Sequence, residues 1–243
     1  MDLIEKTTQD NCHPWELSRT QCILDIVKRN HFSSVVDIGA GDRFFISKLK
    51  EITSCTLYAI DTEYNEKSKI IDGIHCKNNI SEIDNHIDMA ILMDVLEHVH
   101  NDDDFLKVIL KKLSSNALLI ITVPAFQFLF SDHDFLLKHH RRYNKKQLLD
   151  LLQSNNLIIE KYHYFYFSLF FIRLLSLPLT KRKTTQYSGI GKWRFKKKHI
   201  LTQMIRIFLN IDFRICAFFA WFHIYLPGLS FLAICRMQGK SID

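Results

Sequence analysis

A chain of 243 residues, 47% hydrophobic and 24% charged, is long enough for one α/β domain with additions and apolar enough to bury a core. Its formal net charge of +6 is concentrated, because Lys181, Arg182, Lys183, Lys192, Arg194, Lys196, Lys197 and Lys198 share one short stretch; a basic footprint over the whole domain is excluded, and no nucleic-acid partner is expected. The six cysteines (Cys12, Cys22, Cys55, Cys76, Cys216 and Cys235) lie far apart with no C-x-x-C pair, so neither a zinc site nor a disulfide framework is expected.

The first residues carry no apolar signal core, which makes the cytoplasm the expected location. Residues 1–32 read as an N-terminal helix and flap. His13-Pro14-Trp15-Glu16 opens the helix, and Leu17, Ile23 and Val27 form its apolar side. Residues 35–38 (VVDI) form a short apolar strand that enters the turn Gly39-Ala40-Gly41, and residues 57–60 (LYAI) form a second strand ending on Asp61. Residues 87–92 and 118–123 are continuous apolar runs, the pattern of strands buried on both faces. Between them Asn101 caps a helix with Asp102, Asp103 and Asp104 in its first turn. Phe105, Ile109 and Leu113 then recur at i, i+4, and Lys111 and Lys112 close the helix.

Pro124 stops the fifth strand, and a polar, histidine-rich connection runs from Ser131 to Tyr143. Asn144 with Gln147 is the signature of a capping box for a helix to about Gln153. Residues 157–165 and 229–236 read as the last two strands, with 166–228 as an acceptor-side insertion that carries the basic loop. Two apolar stretches, 162–179 and 215–234, approach membrane-spanning length. His163, Arg173 and Pro178 interrupt the first, and His223, Pro227 and Gly228 the second, so both are expected to be core and pocket elements. Strands alternating with helices predict a parallel sheet with helices on both faces.

The turn after the first strand carries the strongest chemical signal. Glycines there let backbone approach a ligand closely, and the following helix offers free N–H groups. Asp61, 24 residues after Asp37, ends the next strand, where a carboxylate suits a ribose diol. In the dinucleotide fingerprint G-x-G-x-x-G the third glycine would fall on Phe44, too bulky for that helix–strand contact.

The strings VVDIGAG, YAID, DMAILMDVLEHV and LLIITVPAF resemble, in sequence and order, the class I S-adenosylmethionine (SAM)-dependent methyltransferases, and are closest to the UbiE/UbiG-like small-molecule group. The resemblance covers residues 33–165, and SDHDFLLKHHRRYNKKQLLDLL and GLSFLAICR fit one bacterial subgroup. It implies a Rossmann-like, seven-stranded, mostly parallel sheet with an antiparallel last strand, and SAM as cofactor. By that resemblance Asp37, Gly39 and Gly41 line the methionine end of SAM, Asp61 and Thr62 lie at the ribose, Asn79 and Ile80 flank the adenine, and Asp94 lies near the methionine portion. The sequence departs from D-x-G-x-G-x-G at the third glycine, where Arg43 stands; that keeps a SAM-binding homologue without turnover as an alternative.

For the acceptor, a small apolar or aromatic molecule is expected, lipid-like or carrier-protein-bound forms included, with O-methylation as the reaction. A hydroxyl acceptor needs a base, and histidine is the natural one near neutral pH. His133 is the first candidate and His139 the second, both beyond the fifth strand where open α/β sheets bind ligands. Trp15 and Arg19 are expected to close the site, Arg142 and Tyr143 to steady the acceptor, and Tyr166, among the aromatic residues 162–167 with Trp193 and Trp221, to line an apolar pocket. Asp94-x-x-Glu97-His98 would share one face of a helical turn and offer a divalent-cation site, although no metal requirement is expected. The apolar and basic segments leave a membrane-peripheral enzyme acting on a lipid-linked acceptor as a further alternative.

Overall fold

The computed structural model describes residues 13–64, 69–84, 86–180 and 195–238. In chain order the elements are α1 (Pro14–Val27), β1 (Ser34–Ile38), α2 (Phe44–Lys50), β2 (Thr56–Ile60), β3 (Lys69–Ile71), β4 (Ile74–Lys77), β5 (Ile87–Met93), α3 (Asp102–Leu110), β6 (Leu113–Pro124), α4 (Asp132–Leu136), α5 (Lys145–Ser154), β7 (Leu157–Phe165), α6 (Phe167–Thr180), α7 (Ile200–Trp221) and β8 (Ser230–Met237). The sheet order is β3-β4-β2-β1-β5-β6-β8-β7. Strands β4, β2, β1, β5 and β6 are mutually parallel, and β8 runs antiparallel between β6 and β7.

The sheet therefore has eight strands where seven were expected. The extra one is β3, a three-residue edge strand paired antiparallel with β4. Its cause is local: Asp72 (φ +50) and Gly73 (φ +71) form a two-residue Asp-Gly connection, both at positive φ as a type I′ hairpin turn requires. The remaining seven strands have the expected arrangement, with only β8 reversed. The helix after Asn101 is shorter than its i, i+4 pattern suggested. It ends at Leu110, its buried residues are Leu106, Ile109 and Leu110, and Leu113 is the first residue of β6.

The sheet is buried on both faces. Val36, Ile38, Leu92, Leu119 and Ile121 pack towards α3 and α5, whereas Val35, Met89, Ile91 and Ile120 pack with α1, α2 and α7 residues such as Ile23, Ile46 and Leu209. This explains the unbroken apolar runs of β5 and β6. Asn144 accepts from the Gln147 N–H at 2.8 Å and Gln147 reaches back to the Asn144 N–H at 3.2 Å, so α5 begins with the expected capping box. Residues 162–179 split into the end of β7 and α6, and residues 215–234 into the end of α7, a turn and most of β8. Among the described residues, no helix is long and apolar enough to cross a membrane. Most of the basic run, residues 181–194, and Trp193 with it, lies outside the described residues.

Candidate active site

The carboxyl ends of β1, β2, β5 and β6 converge on one edge, where parallel sheets open their ligand crevice. Leaving β1, Gly39 adopts φ +70 and packs so closely on the β5 turn that an added Cβ would meet Val95 Cγ2 at 2.8 Å. The Gly39 and Ala40 N–H groups donate to Ile60 O at 2.8 and 3.0 Å, which fixes the turn to the end of β2. Gly41 (φ +51) donates to Asp61 Oδ2 at 2.8 Å, and Tyr64 Oη donates to Gly41 O at 2.7 Å. Asp61 Oδ1 also accepts from the Glu63 N–H at 2.9 Å. Each Asp61 oxygen keeps a second lone pair, so the carboxylate both braces the glycine turn and can accept from a diol. Thr62 is exposed in the turn that follows.

Arg43, at the position of the missing third glycine, holds φ +67, the left-handed conformation that favours glycine. The turn thus places an arginine in a conformation that it tolerates less well than glycine.

Asp37 is buried under this turn, and burial pushes its carboxyl up to about 7, with Arg19 pulling the other way. Arg19, on α1, forms an ion pair with Asp94, which leaves β5 at φ +55 and also accepts from Thr122 Oγ1 at 3.0 Å. The Arg19 guanidinium lies 4.7 Å from the Trp15 ring centre. The structure thus brings Trp15, Arg19, Asp37, Gly39 and Asp94 together. Arg19, Thr20, Asp37, Gly39, Phe44 and Met93 line one pocket at this edge. Asn79 stands apart. Its side-chain oxygen accepts from the Ser81 N–H at 2.9 Å, and Glu82 completes a capping box on the short turn that starts at the buried Ile80.

The second half of the site is built by the connection after β6. Asp134 is fully buried; Ser131 N and Oγ donate to its Oδ2 at 2.9 and 3.1 Å, and Arg142 Nε donates to Oδ1 at 2.7 Å. Oδ1 also lies 3.0 Å from His139 Nδ1. Burial alone would raise this carboxyl, but His139 and Arg142 hold it down at about 2. His139 packs edge-on against His98, with ring centres 4.6 Å apart. His133 directly precedes Asp134 on α4, and burial lowers its pKa with Asp134 pulling the other way.

The cation site read as Asp94, Glu97 and His98 is rearranged. Asp94 is taken by Arg19 and Thr122, and residues Leu96–His98 form a tight 3-10 turn. Instead, ligand atoms of Glu97, His98 and His139 lie within 4.8 Å of one another. Both oxygens of the fully buried Glu97 lack a hydrogen bond, and burial raises its carboxyl to about 8.

Three residues expected to touch the acceptor have committed their polar groups to the protein. Arg142 holds Asp134 and reaches Ala125 O at 3.4 Å; Tyr143 Oη donates to Asp102 Oδ2 at 2.6 Å and to Leu96 O at 3.3 Å; Tyr166 Oη donates to Trp15 O at 2.9 Å. All three are buried, so they frame the cleft. An aromatic surface after β6 comes from other residues: Phe126 (φ +62) packs on Phe128, Tyr164 and Phe170 at 5.3, 4.7 and 5.3 Å, and Phe128 and Phe135 are exposed. Sequence reading missed Phe126 and Phe128, whose only signal was the apolar content after Pro124. It also missed Thr122, whose signal was a polar residue inside an apolar strand.

A parallel sheet with one reversed strand beside the last parallel one, and an acidic glycine turn at the end of β1, define a class I methyltransferase architecture. A family model described as a methyltransferase domain matches residues 18–162. The chain belongs to this family, and it is a SAM-dependent methyltransferase. No curated protein matches it. Among solved structures it is similar to the plantazolicin methyltransferase BpumL in complex with a monoazolic desmethylPZN analog and SAH, with 12% identity, TM-score 0.54, and 93% of this chain and 85% of that one covered. It is also similar to the N-methyltransferase NodS from Bradyrhizobium japonicum WM9 in complex with S-adenosyl-l-homocysteine (13% identity, TM-score 0.52, 93% and 88% covered). A putative methyltransferase from Bacillus halodurans C-125 has 13% identity and TM-score 0.54, with 92% and 99% covered. At these identities the likeness bears on the fold alone.

Proposed function

We propose that this enzyme methylates a hydroxyl oxygen on a small apolar or aromatic acceptor, with His139 as the base. The observation that carries the reading is the Asp134–His139 pair: a fully buried carboxylate, itself held by Ser131 and Arg142, turns Nδ1 of His139 inward and leaves Nε2 as the proton acceptor.

When bound, SAM supplies an electrophilic methyl on sulfur. The glycine turn and Asp37, with Asp61 and Asp94 beside them, would hold it at the carboxyl ends of β1, β2 and β5. The acceptor oxygen forms the new bond to the methyl carbon as the carbon–sulfur bond breaks, and the hydroxyl proton passes to His139. Alignment supplies most of the acceleration, and a phenol with pKa ~10 is the easiest hydroxyl to activate. The exposed Phe128 and Phe135 rings on the connection after β6 favour an apolar acceptor. The free thiols Cys22, Cys55, Cys76, Cys216 and Cys235 suit a reducing cytoplasm.

A second reading rests on Glu97. A buried carboxyl with two unbonded oxygens beside His98 and His139 suits a divalent cation, which would lower the pKa of a coordinated hydroxyl. Chelation followed by re-addition of Mg²⁺, Mn²⁺ or Zn²⁺ separates the two readings.

The test is transfer from methyl-labelled SAM to a panel of phenols and long-chain alcohols beside the matching amines. The proposal expects labelled ethers, and a loss of about 10²–10⁴-fold in kcat for His139→Asn with S-adenosylhomocysteine binding unchanged. Methylation of amines only, or full turnover by His139→Asn, would overturn it.

A further inference from the structure

Helix α7 is apolar on nearly every side, which in a globular domain marks a fully buried helix. Only half of it is buried. Thr202, Leu209, Asp212, Phe213 and Cys216 face the domain, where Asp212 accepts from the N–H groups of Phe167 and Ser168 at the start of α6. The opposite side presents Ile200, Met204, Ile207, Ile211, Ile215 and Phe218 at spacings of three and four residues, all more than 45% exposed except Ile215 at 45%, with Trp221 at 76%. Phe171, Ile172 and Leu175 of α6 are exposed as well. Scattered apolar residues need no explanation, but a continuous stripe along 22 residues does.

The charge around the stripe is of one sign. From Phe195 to Ile224 the cations are Lys196, Lys197, Lys198, Arg206 and Arg214, and the only carboxylate, Asp212, is buried in its cap on α6. Arg214 has Asp25 of α1 at 3.4 Å. Such a surface, apolar with an aromatic end and a cationic start, matches a bilayer with anionic head groups. A second copy matches it poorly, because a two-fold contact would set Lys196, Lys197, Lys198 and Arg206 against the same cations, and Asp25 beside them is already paired with Arg214.

We infer that the outer face of α7, with the exposed residues of α6, docks this enzyme onto an anionic lipid surface, lying in the plane of the interface without crossing it. The docked face is continuous with the acceptor side, because Phe170 of α6 packs on Phe126 at 5.3 Å and on Phe128 at 6.4 Å. An acceptor dissolved in that surface would reach the aromatic loop directly. The docking itself does not depend on which atom is methylated.

The experiment is co-sedimentation of the full chain with vesicles of phosphatidylcholine alone and with 30% phosphatidylserine, at about 0.05 and 0.5 M salt. Binding to the anionic vesicles that weakens at least tenfold at high salt is expected. Phe218→Gln/Trp221→Gln should lose at least tenfold in partition, and Lys196→Gln/Lys198→Gln/Arg206→Gln should lose a similar factor on anionic vesicles only. Both variants should bind S-adenosylhomocysteine like the parent chain, which checks their fold independently of docking. Absence of vesicle binding by the parent chain, or unchanged binding by both variants, would overturn the inference. So would a stable dimer in solution that the aromatic substitutions dissociate, which would assign the face to a second copy.

Discussion

Arg43 offers a clean test of the geometry of the cofactor turn. It occupies φ +67, ψ +20, and its guanidinium makes one weak described contact, Nη1 to Cys76 Sγ at 3.9 Å. The left-handed conformation costs a non-glycine residue about 1–2 kcal/mol. Glycine in place of alanine loosens the unfolded chain by about 0.4–1 kcal/mol. The difference predicts that Arg43→Gly is more stable than Arg43→Ala by about 1 kcal/mol, since neither variant retains the guanidinium. For a chain of this size that is about 2–4 °C in melting temperature, readable by calorimetry on the two variants side by side. Arg43→Gly should also bind SAM at least as tightly as the parent, because it restores the residue the turn conformation favours. An alanine variant as stable as the glycine variant would refute the left-handed assignment and with it the account of the turn.

Gly39→Ala should lose SAM binding and about 2 kcal/mol or more of stability, since its Cβ meets Val95 Cγ2 at 2.8 Å and φ is +70; retained binding in a titration would show that the turn relaxes. Asp134→Asn should lower kcat about 10²-fold or more without changing the KM for SAM, because His139 loses the carboxylate that orients it; a pure KM effect would contradict that role. Burial raises Glu97 from 4.5 to about 8. Its stabilising contribution is therefore fully present below about 4.5 and is lost as pH rises through about 8. In metal-free protein Glu97→Gln should gain in melting temperature relative to the parent chain as pH rises across that window, and a constant difference would show that the carboxyl is not raised.

Much of the fold was legible because its signals are local. Asp37, Gly39 and Gly41 mark a turn that only a strand-to-helix junction uses, and the apolar runs of β5 and β6 exist because both faces of the sheet are covered. Asp72-Gly73 was equally local and predicts the β3–β4 hairpin, but it joins strands too short and too exposed to show alternation. Leu113 fitted the helix period by coincidence, because periodicity does not say where Lys111 and Lys112 hand over to a strand. The site was less legible. Sequence put His133 first and His139 second as base, and the 3.0 Å approach of His139 Nδ1 to the buried Asp134 became visible only in the fold. Arg142, Tyr143 and Tyr166 carry functional-looking groups whose partners, Asp134, Asp102 and the Trp15 carbonyl, are distant in sequence or invisible to it. Residues 215–234 were read as core and pocket elements, yet Ile215, Phe218 and Trp221 at the end of α7 are exposed, since hydrophobicity alone does not report whether a second face is covered.

The central claim is that the turn at β1, braced by Asp61, holds SAM for methyl transfer. Its most direct test is calorimetric titration of the purified chain with SAM and with S-adenosylhomocysteine, repeated on Asp61→Ala, which removes the acceptor for the Gly41 and Glu63 N–H groups. The account predicts saturable one-site binding of both ligands, weakened at least tenfold, about 1.4 kcal/mol, by the substitution. Absence of binding by the well-folded parent chain, or equal affinity in Asp61→Ala, would contradict it.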